Sequence, residues 1–248
     1  NSTAIGPAST DTFYTTSTLA HLDTVYGVGT LNGCPTNSTS FVHIVNPPPS
    51  ISFASTHPTG VACEGDTVTF SASGGDIYEY YVNGTLQGFA TTDSNFSIST
   101  LATGDIVTVI GKLSSTECSD TSLTSFTMTI NPKPSPTMTC SDPDYIICEG
   151  DMVTFTAAGA TTYEFFLGGI SLGSSSTTNF VQLDTLTNLE TVTVEGTSNG
   201  CPVVSPNTFS LTVNTLPNVV FTSSDPNDTI CDGVLVTFTT SGASIYEF

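Results

Sequence analysis

Apolar and polar residues alternate along this chain in short runs. Val68, Phe70 and Ala72 alternate with Thr69 and Ser71, and Val107 and Val109 flank Thr108. Such period-two runs, bounded by Gly, Pro, Asn and Asp, mark half-buried β-strands. No stretch carries a helical period. Asn83-Gly84 and Gly168-Gly169 read as two-residue hairpin turns. Roughly seven short strands in each ~84 residues, with turn signals about every 8–12, predict an all-β chain of antiparallel sandwiches.

The pattern repeats. Cys63-Glu64-Gly65-Asp66-Thr67-Val68-Thr69-Phe70 returns as Cys148-Glu149-Gly150-Asp151-Met152-Val153-Thr154-Phe155, and again as Cys231-Asp232-Gly233-Val234-Leu235-Val236-Thr237-Phe238, at offsets of 85 and 83 residues. A fixed period of this size means tandem copies of one small domain. A second block also recurs. Asp23-Thr24-Val25 aligns with Asp105-Ile106-Val107 and Glu190-Thr191-Val192, then Gly33-Cys34 with Glu117-Cys118 and Gly200-Cys201. A last strand ends each copy at Asn46, Asn131 and Asn214, and the linkers beyond are proline-rich, as in Asn46-Pro47-Pro48-Pro49 and Asn131-Pro132-Lys133-Pro134. Proline lacks the N–H that a ladder needs, so it stops the strand and stiffens the path onward. The expected organisation is a C-terminal half-repeat at 1–46, full repeats at 47–131 and 132–214, and an N-terminal half-repeat at 215–248. The halves are complementary. A window of a longer repetitive polypeptide is the first reading of this. Completion of one chain's open end by the next, through strand complementation, is the second.

Charge changes the picture of partners. The 248 residues hold 22 acidic side chains against two basic ones, Lys112 and Lys133, for a net charge of −20. Such a chain has almost nothing with which to neutralise phosphates, so nucleic acid is excluded as an expected partner and an anionic membrane surface is disfavoured. No apolar run is long enough for a membrane-spanning helix. At 38% hydrophobic residues, arranged in alternating runs, the acidity does not signal disorder.

Seven cysteines are present. Cys63 and Cys118 are 55 residues apart, and Cys148 and Cys201 are 53 apart. These matched separations predict one disulfide within each full repeat. Cys34 and Cys231 are then expected to pair with partners in missing or neighbouring half-domains, and Cys140, whose place is held by Ser55 and Ser223 in the other copies, is expected to be free. Disulfides imply an oxidising compartment. Zinc is a weak alternative, because no Cys-x-x-Cys pair occurs.

The Cys-x-Gly-x-x-Val-Thr-Phe start, the aromatic strand, the later Cys and a final strand ending at Asn before the linker resemble the Ig-like and PKD-like repeats of long Bacteroidota surface proteins. The resemblance runs through all 248 residues. It implies secretion, an extracellular, cell-surface location, and work as an adhesin, stalk or filament segment. One departure is that such relatives often carry Trp on the third strand, where this chain has Tyr80, Phe165 and Phe248.

The expected function is therefore structural, with further copies of the same repeat as partners. The alternatives are a glycan- or protein-binding module, for which Tyr81 and Phe89 are candidates, and an accessory segment of a secreted enzyme. No catalysis is expected of the chain itself: His21, His43 and His57 accompany no nucleophile motif. No cofactor is expected beyond weak calcium candidates, Asp142, Asp144, Asp225 and Asp228, which cluster near two repeat starts. Glycosylation candidates are Asn83, Asn95 and Asn227 in Asn-x-Ser/Thr sequons, with Asn1 and Asn37 as further matches, and Thr67 in an Asp-Thr-Val triplet.

Overall fold

The computed structural model describes residues 4–248. Among these, every regular element is a β-strand. The chain divides between Ile130 and Asn131 into two compact units, and each holds one complete sandwich with its own core.

In the first sandwich, one sheet runs in the order Ser52–Ser55, Val68–Ser73, Asn95–Ile98. The other has Ile106–Lys112 between Ile77–Val82 and Ser119–Thr121, with Thr85–Leu86 at the edge and Phe126–Thr127 also on Ile106–Lys112. Val61–Cys63 pairs with the last strand, Thr129–Asn131. The second sandwich repeats the plan: Thr137–Cys140, Val153–Ala158 and Phe180–Leu183 form one sheet, and Thr162–Leu167 pairs with Thr191–Ser198 in the other. Its short strand Ile146–Cys148 runs parallel to Thr212–Asn214, the one kind of pairing that the antiparallel expectation did not contain.

The alternating pattern places its apolar set inward, as a period of two requires. Val68 and Phe70 face Val107 and Val109, and all four are buried. Phe155, Val192 and Val194 do the same in the second sandwich. Aromatic rings fill the first core: Phe53 and Phe70 stack at 5.5 Å, and Tyr80 and Phe96 at 5.1 Å. The Asn83-Gly84 and Gly168-Gly169 pairs form the expected hairpin turns. Their φ values are 51° and 75°, and 56° and 82°, as a type I′ turn demands.

A further turn recurs three times. Gly74, Gly159 and Gly242 end the second strand of each copy with φ of 97°, 88° and 96°. A Cβ there would lie 2.0, 2.2 and 1.9 Å from the carbonyl oxygens of Ser50, Ser135 and Asn218. Only glycine fits against that backbone. The tyrosine four residues after each glycine clamps the turn. Tyr78, Tyr163 and Tyr246 each donate their hydroxyl to the carbonyl three residues back and accept from that residue's N–H.

The half-repeats keep the register of the complete ones. Val220–Ser223 pairs with Phe238–Ser241, Phe221 opposite Thr240, as Phe53 stands opposite Ala72. Thr24–Val25 pairs with Phe41–Val42, as Ile106 and Val107 pair with Thr127 and Phe126. Val28–Leu31 and Cys34–Asn37 form a hairpin through Asn32-Gly33, matching Ser198 and Cys201 around Asn199-Gly200. What differs is burial. Phe221, Phe238, Phe13 and Phe41 are all exposed.

Candidate functional site

The cysteines are the first site that the sequence singled out. Cys63 and Cys201 are disulfide-bonded. Cys34, Cys118, Cys140, Cys148 and Cys231 carry free thiols. The expected pairings Cys63–Cys118 and Cys148–Cys201 are therefore corrected, and strand direction gives the reason.

In the second sandwich Cys148 lies level with Asn214, where the last strand ends, and the Glu149 N–H donates to the Asn214 carbonyl. Cys201 lies opposite Ser198, at the far end of Thr191–Ser198. That strand begins beside Ser210, on the Asn214 side. Eight residues at about 3.3 Å each put the two cysteines roughly 20 Å or more apart, whereas a disulfide needs Cα atoms within about 7 Å. The first sandwich has the same layout. Cys63 ends the strand beside Thr129–Asn131, and Cys118 follows the loop after Lys112, with the Leu113 N–H donating to its carbonyl. Each sandwich thus carries a motif cysteine at the end where the chain leaves and a hairpin cysteine at the end where the chain enters. The Cys118 and Cys201 sulfurs each lie 3.8 Å from the carbonyl oxygen of the asparagine that precedes the repeat, Asn46 and Asn131. Sequence separation could not distinguish the two ends.

Cys140 is set apart. It sits on the first strand of its sheet, packed against the core of the second sandwich, and burial pushes its thiol pKa up. A thiol held protonated is a poor nucleophile for disulfide exchange.

The acidic residues work locally. The Asp66 and Asp151 carboxylates accept the N–H groups of Cys63 and Cys148, closing the turn after each motif cysteine. Asp142 accepts the Ile146 N–H, and Asp225 accepts the Asn227 N–H. Asp142, Asp144, Asp225 and Asp228 do not converge: among the described residues no three His, Cys, Asp or Glu side chains are grouped closely enough to hold a metal ion.

The glycosylation candidates differ in availability. The Asn83 side chain is committed on both sides, donating to Asp105 and accepting the Ile106 N–H. The Asn95 side-chain oxygen accepts the Ser71 hydroxyl. Asn227 and Thr67 are exposed, and so is Asn37 on its edge strand; Asn1 lies outside the described residues. The histidines are scattered. His21 Nδ1 lies 3.1 Å from the Val45 carbonyl, and His57 Nδ1 lies 3.1 Å from the Thr56 hydroxyl. His43 is exposed, not half-buried as its strand pattern implied, although its counterparts Met128 and Leu211 are core residues. Of the aromatic candidates, Phe89 is 90% exposed on its loop. The Tyr81 hydroxyl donates to Glu79 at 2.7 Å, and this bond to the carboxylate raises its pKa.

Phe221, Phe238, Ile245 and Phe248 are among the residues that line an open groove of about 610 Å³.

No protein-family model and no curated protein matches the sequence. Solved structures with a similar course of the chain are tandem β-sandwich modules. The fibronectin(III)-like modules of Clostridium thermocellum CbhA match at 14% identity and a TM-score of 0.45, over 66% of this chain and 95% of theirs. The FN1–FN3 domains of chicken CNTN1 match at 12% identity and a TM-score of 0.40, over 75% and 74%. A chimeric titin Z1Z2 tandem matches at 14% identity and a TM-score of 0.27, over 67% and 100%.

Proposed function

We propose that this chain is a structural segment of an extracellular filament, stalk or adhesin, in which tandem Ig-like sandwiches act as spacers. The observation that carries the reading is the repetition of one sandwich, with the same register and its own closed core. Proline-rich linkers between such units favour extension over a globule. Disulfide-bonded cysteines fit an oxidising surrounding. The near absence of Lys and Arg removes the cleavage sites of trypsin-like proteases, which suits a protein exposed outside the cell. Negative-stain imaging of the native particle tests the proposal: a beaded fibre is the expected image, and a compact isolated monomer overturns it.

Phe89 supports a second reading, recognition of a glycan or protein by the first sandwich. It presents an aromatic ring that the equivalent loop of the second sandwich lacks. A glycan-array signal lost in Phe89→Ala is the outcome this reading requires.

A further inference from the structure

The two complete sandwiches differ at one corner. In the first, the Tyr80 and Phe96 rings stack at 5.1 Å, and the Tyr80 hydroxyl donates to the Ser94 carbonyl at 2.6 Å. The same register places Phe165 and Val181 there in the second, with one hydroxyl and one ring fewer. Both residues line an open groove of about 200 Å³. We infer that this groove on the second sandwich binds one neutral sugar ring.

Pockets for drug-sized ligands measure about 300–1,000 Å³, so a groove of about 200 Å³ suits a single ring. A pyranose has an apolar face of C–H groups and a rim of hydroxyls, each of which donates and accepts. The groove answers both. Phe180 and Leu172 line it and are 48% and 41% exposed, so their apolar surface is open to a ligand. Ser174, Ser176 and Thr178 also line it, and belong to a run of exposed hydroxyl residues from Ser174 to Thr178. The Ser176 hydroxyl accepts the Thr178 N–H at 3.0 Å and keeps its proton to donate. Glu164, on the same lining, accepts the Ser171 hydroxyl on one carboxylate oxygen at 2.6 Å. Its other oxygen is an acceptor for a ligand hydroxyl.

Charge selects among sugars. Glu195 stands directly opposite Glu164 across the paired strands, and like charges so placed repel each other. An acidic sugar would add a third negative charge beside this pair, in a chain of net charge −20, and is rejected. A neutral sugar brings hydroxyl donors to Glu164 without that penalty. The first sandwich is not equipped in the same way. The places of Ser174, Thr178 and Phe180 are held there by Phe89, Asp93 and Asn95. The Asn95 side-chain oxygen accepts the Ser71 hydroxyl, and the Tyr80 and Phe96 rings pack against each other in the corner.

The site is independent of the spacer role and of Phe89, so each can fail alone. The ¹⁵N-labelled 248-residue chain is titrated with glucose, galactose, mannose, N-acetylglucosamine and glucuronic acid while amide shifts are recorded. Expected with at least one neutral sugar are saturable shifts centred on residues 172–181, with a dissociation constant on the order of 1–10 mM. Glucuronic acid should give none. Phe165→Tyr with Val181→Phe installs the pair of the first sandwich and should weaken binding at least tenfold. Phe180→Asn, at an exposed position, should weaken it at least threefold with the melting transition kept, and Phe89→Ala should change nothing. The bound sugar is then compared with the same ring at the non-reducing end of a disaccharide. Binding of both assigns glycan chain ends as the ligand, and binding of the free sugar alone assigns a monosaccharide. No saturable shift with any neutral sugar, shifts centred outside the groove, equal binding of glucuronic acid, or full binding by the folded double variant overturns the inference.

Discussion

Phe70 and Phe238 hold the same place in the same strand of the same repeat. Phe70 is fully buried, while Phe238 is 52% exposed. The pairing of their strands with the preceding first strand matches residue for residue, and the tyrosine clamp of the following turn is the same in both. The comparison separates two kinds of information. Turns and registers are written within about thirty residues. The core is not, because each face needs apolar surface supplied from the other half of the repeat.

The sharpest way to break this comparison is truncation at the paired positions. Phe70→Ala should destabilise the first sandwich by about 3–5 kcal/mol, read from chemical denaturation followed by tyrosine fluorescence. Phe238→Ala should leave the unfolding of both sandwiches in the dilute chain within about 0.5 kcal/mol of the parent. Equal losses would mean that the half-repeat is already part of a closed core.

The glycine turn comes next. Gly74→Ala forces a Cβ into the Ser50 carbonyl and should cost about 1–3 kcal/mol. Gly242→Ala meets the same obstacle at Asn218, and should disturb only residues 218–243, seen as loss of amide-exchange protection there with both sandwich transitions unmoved. Smaller again, Tyr78→Phe removes the clamp hydroxyl of the first sandwich and should lower its stability by about 1 kcal/mol. Tyr246→Phe should show no effect in the same assay.

The smallest effect sharpens the contrast between the two complete sandwiches. Burial, followed by the neighbouring Tyr78 and Asp93, raises the Tyr80 pKa from 10.0 to about 12. The folded chain then keeps a proton that the unfolded chain loses. Stability from this group is fully present below pH 10 and is lost as pH rises toward about 12. The second sandwich has Phe165 at that position, so its transition should lack this alkaline limb. Tyr80→Phe should flatten the limb in the first sandwich; an unchanged slope would place its origin elsewhere.

The same logic explains what was legible in the candidate sites. The motif carboxylates Asp66 and Asp151 accept N–H groups only three positions away, contacts local to one turn. The cysteine partners were not legible. Matched separations of 55 and 53 residues recorded the repeat and nothing about which end of a strand each sulfur occupies. Of the aspartates near the repeat starts, Asp142 accepts the Ile146 N–H and Asp225 the Asn227 N–H, contacts that a separation along the chain does not reveal.

By itself, then, the sequence determined the repeat, the alternation that chooses an inner face, and the Asn-Gly and Gly-Gly turns that set register. These depend on contacts between near neighbours. Only the tertiary structure decided that motif and hairpin cysteines stand at opposite ends of a sandwich. This follows from where whole strands run in space, which a separation along the chain does not measure.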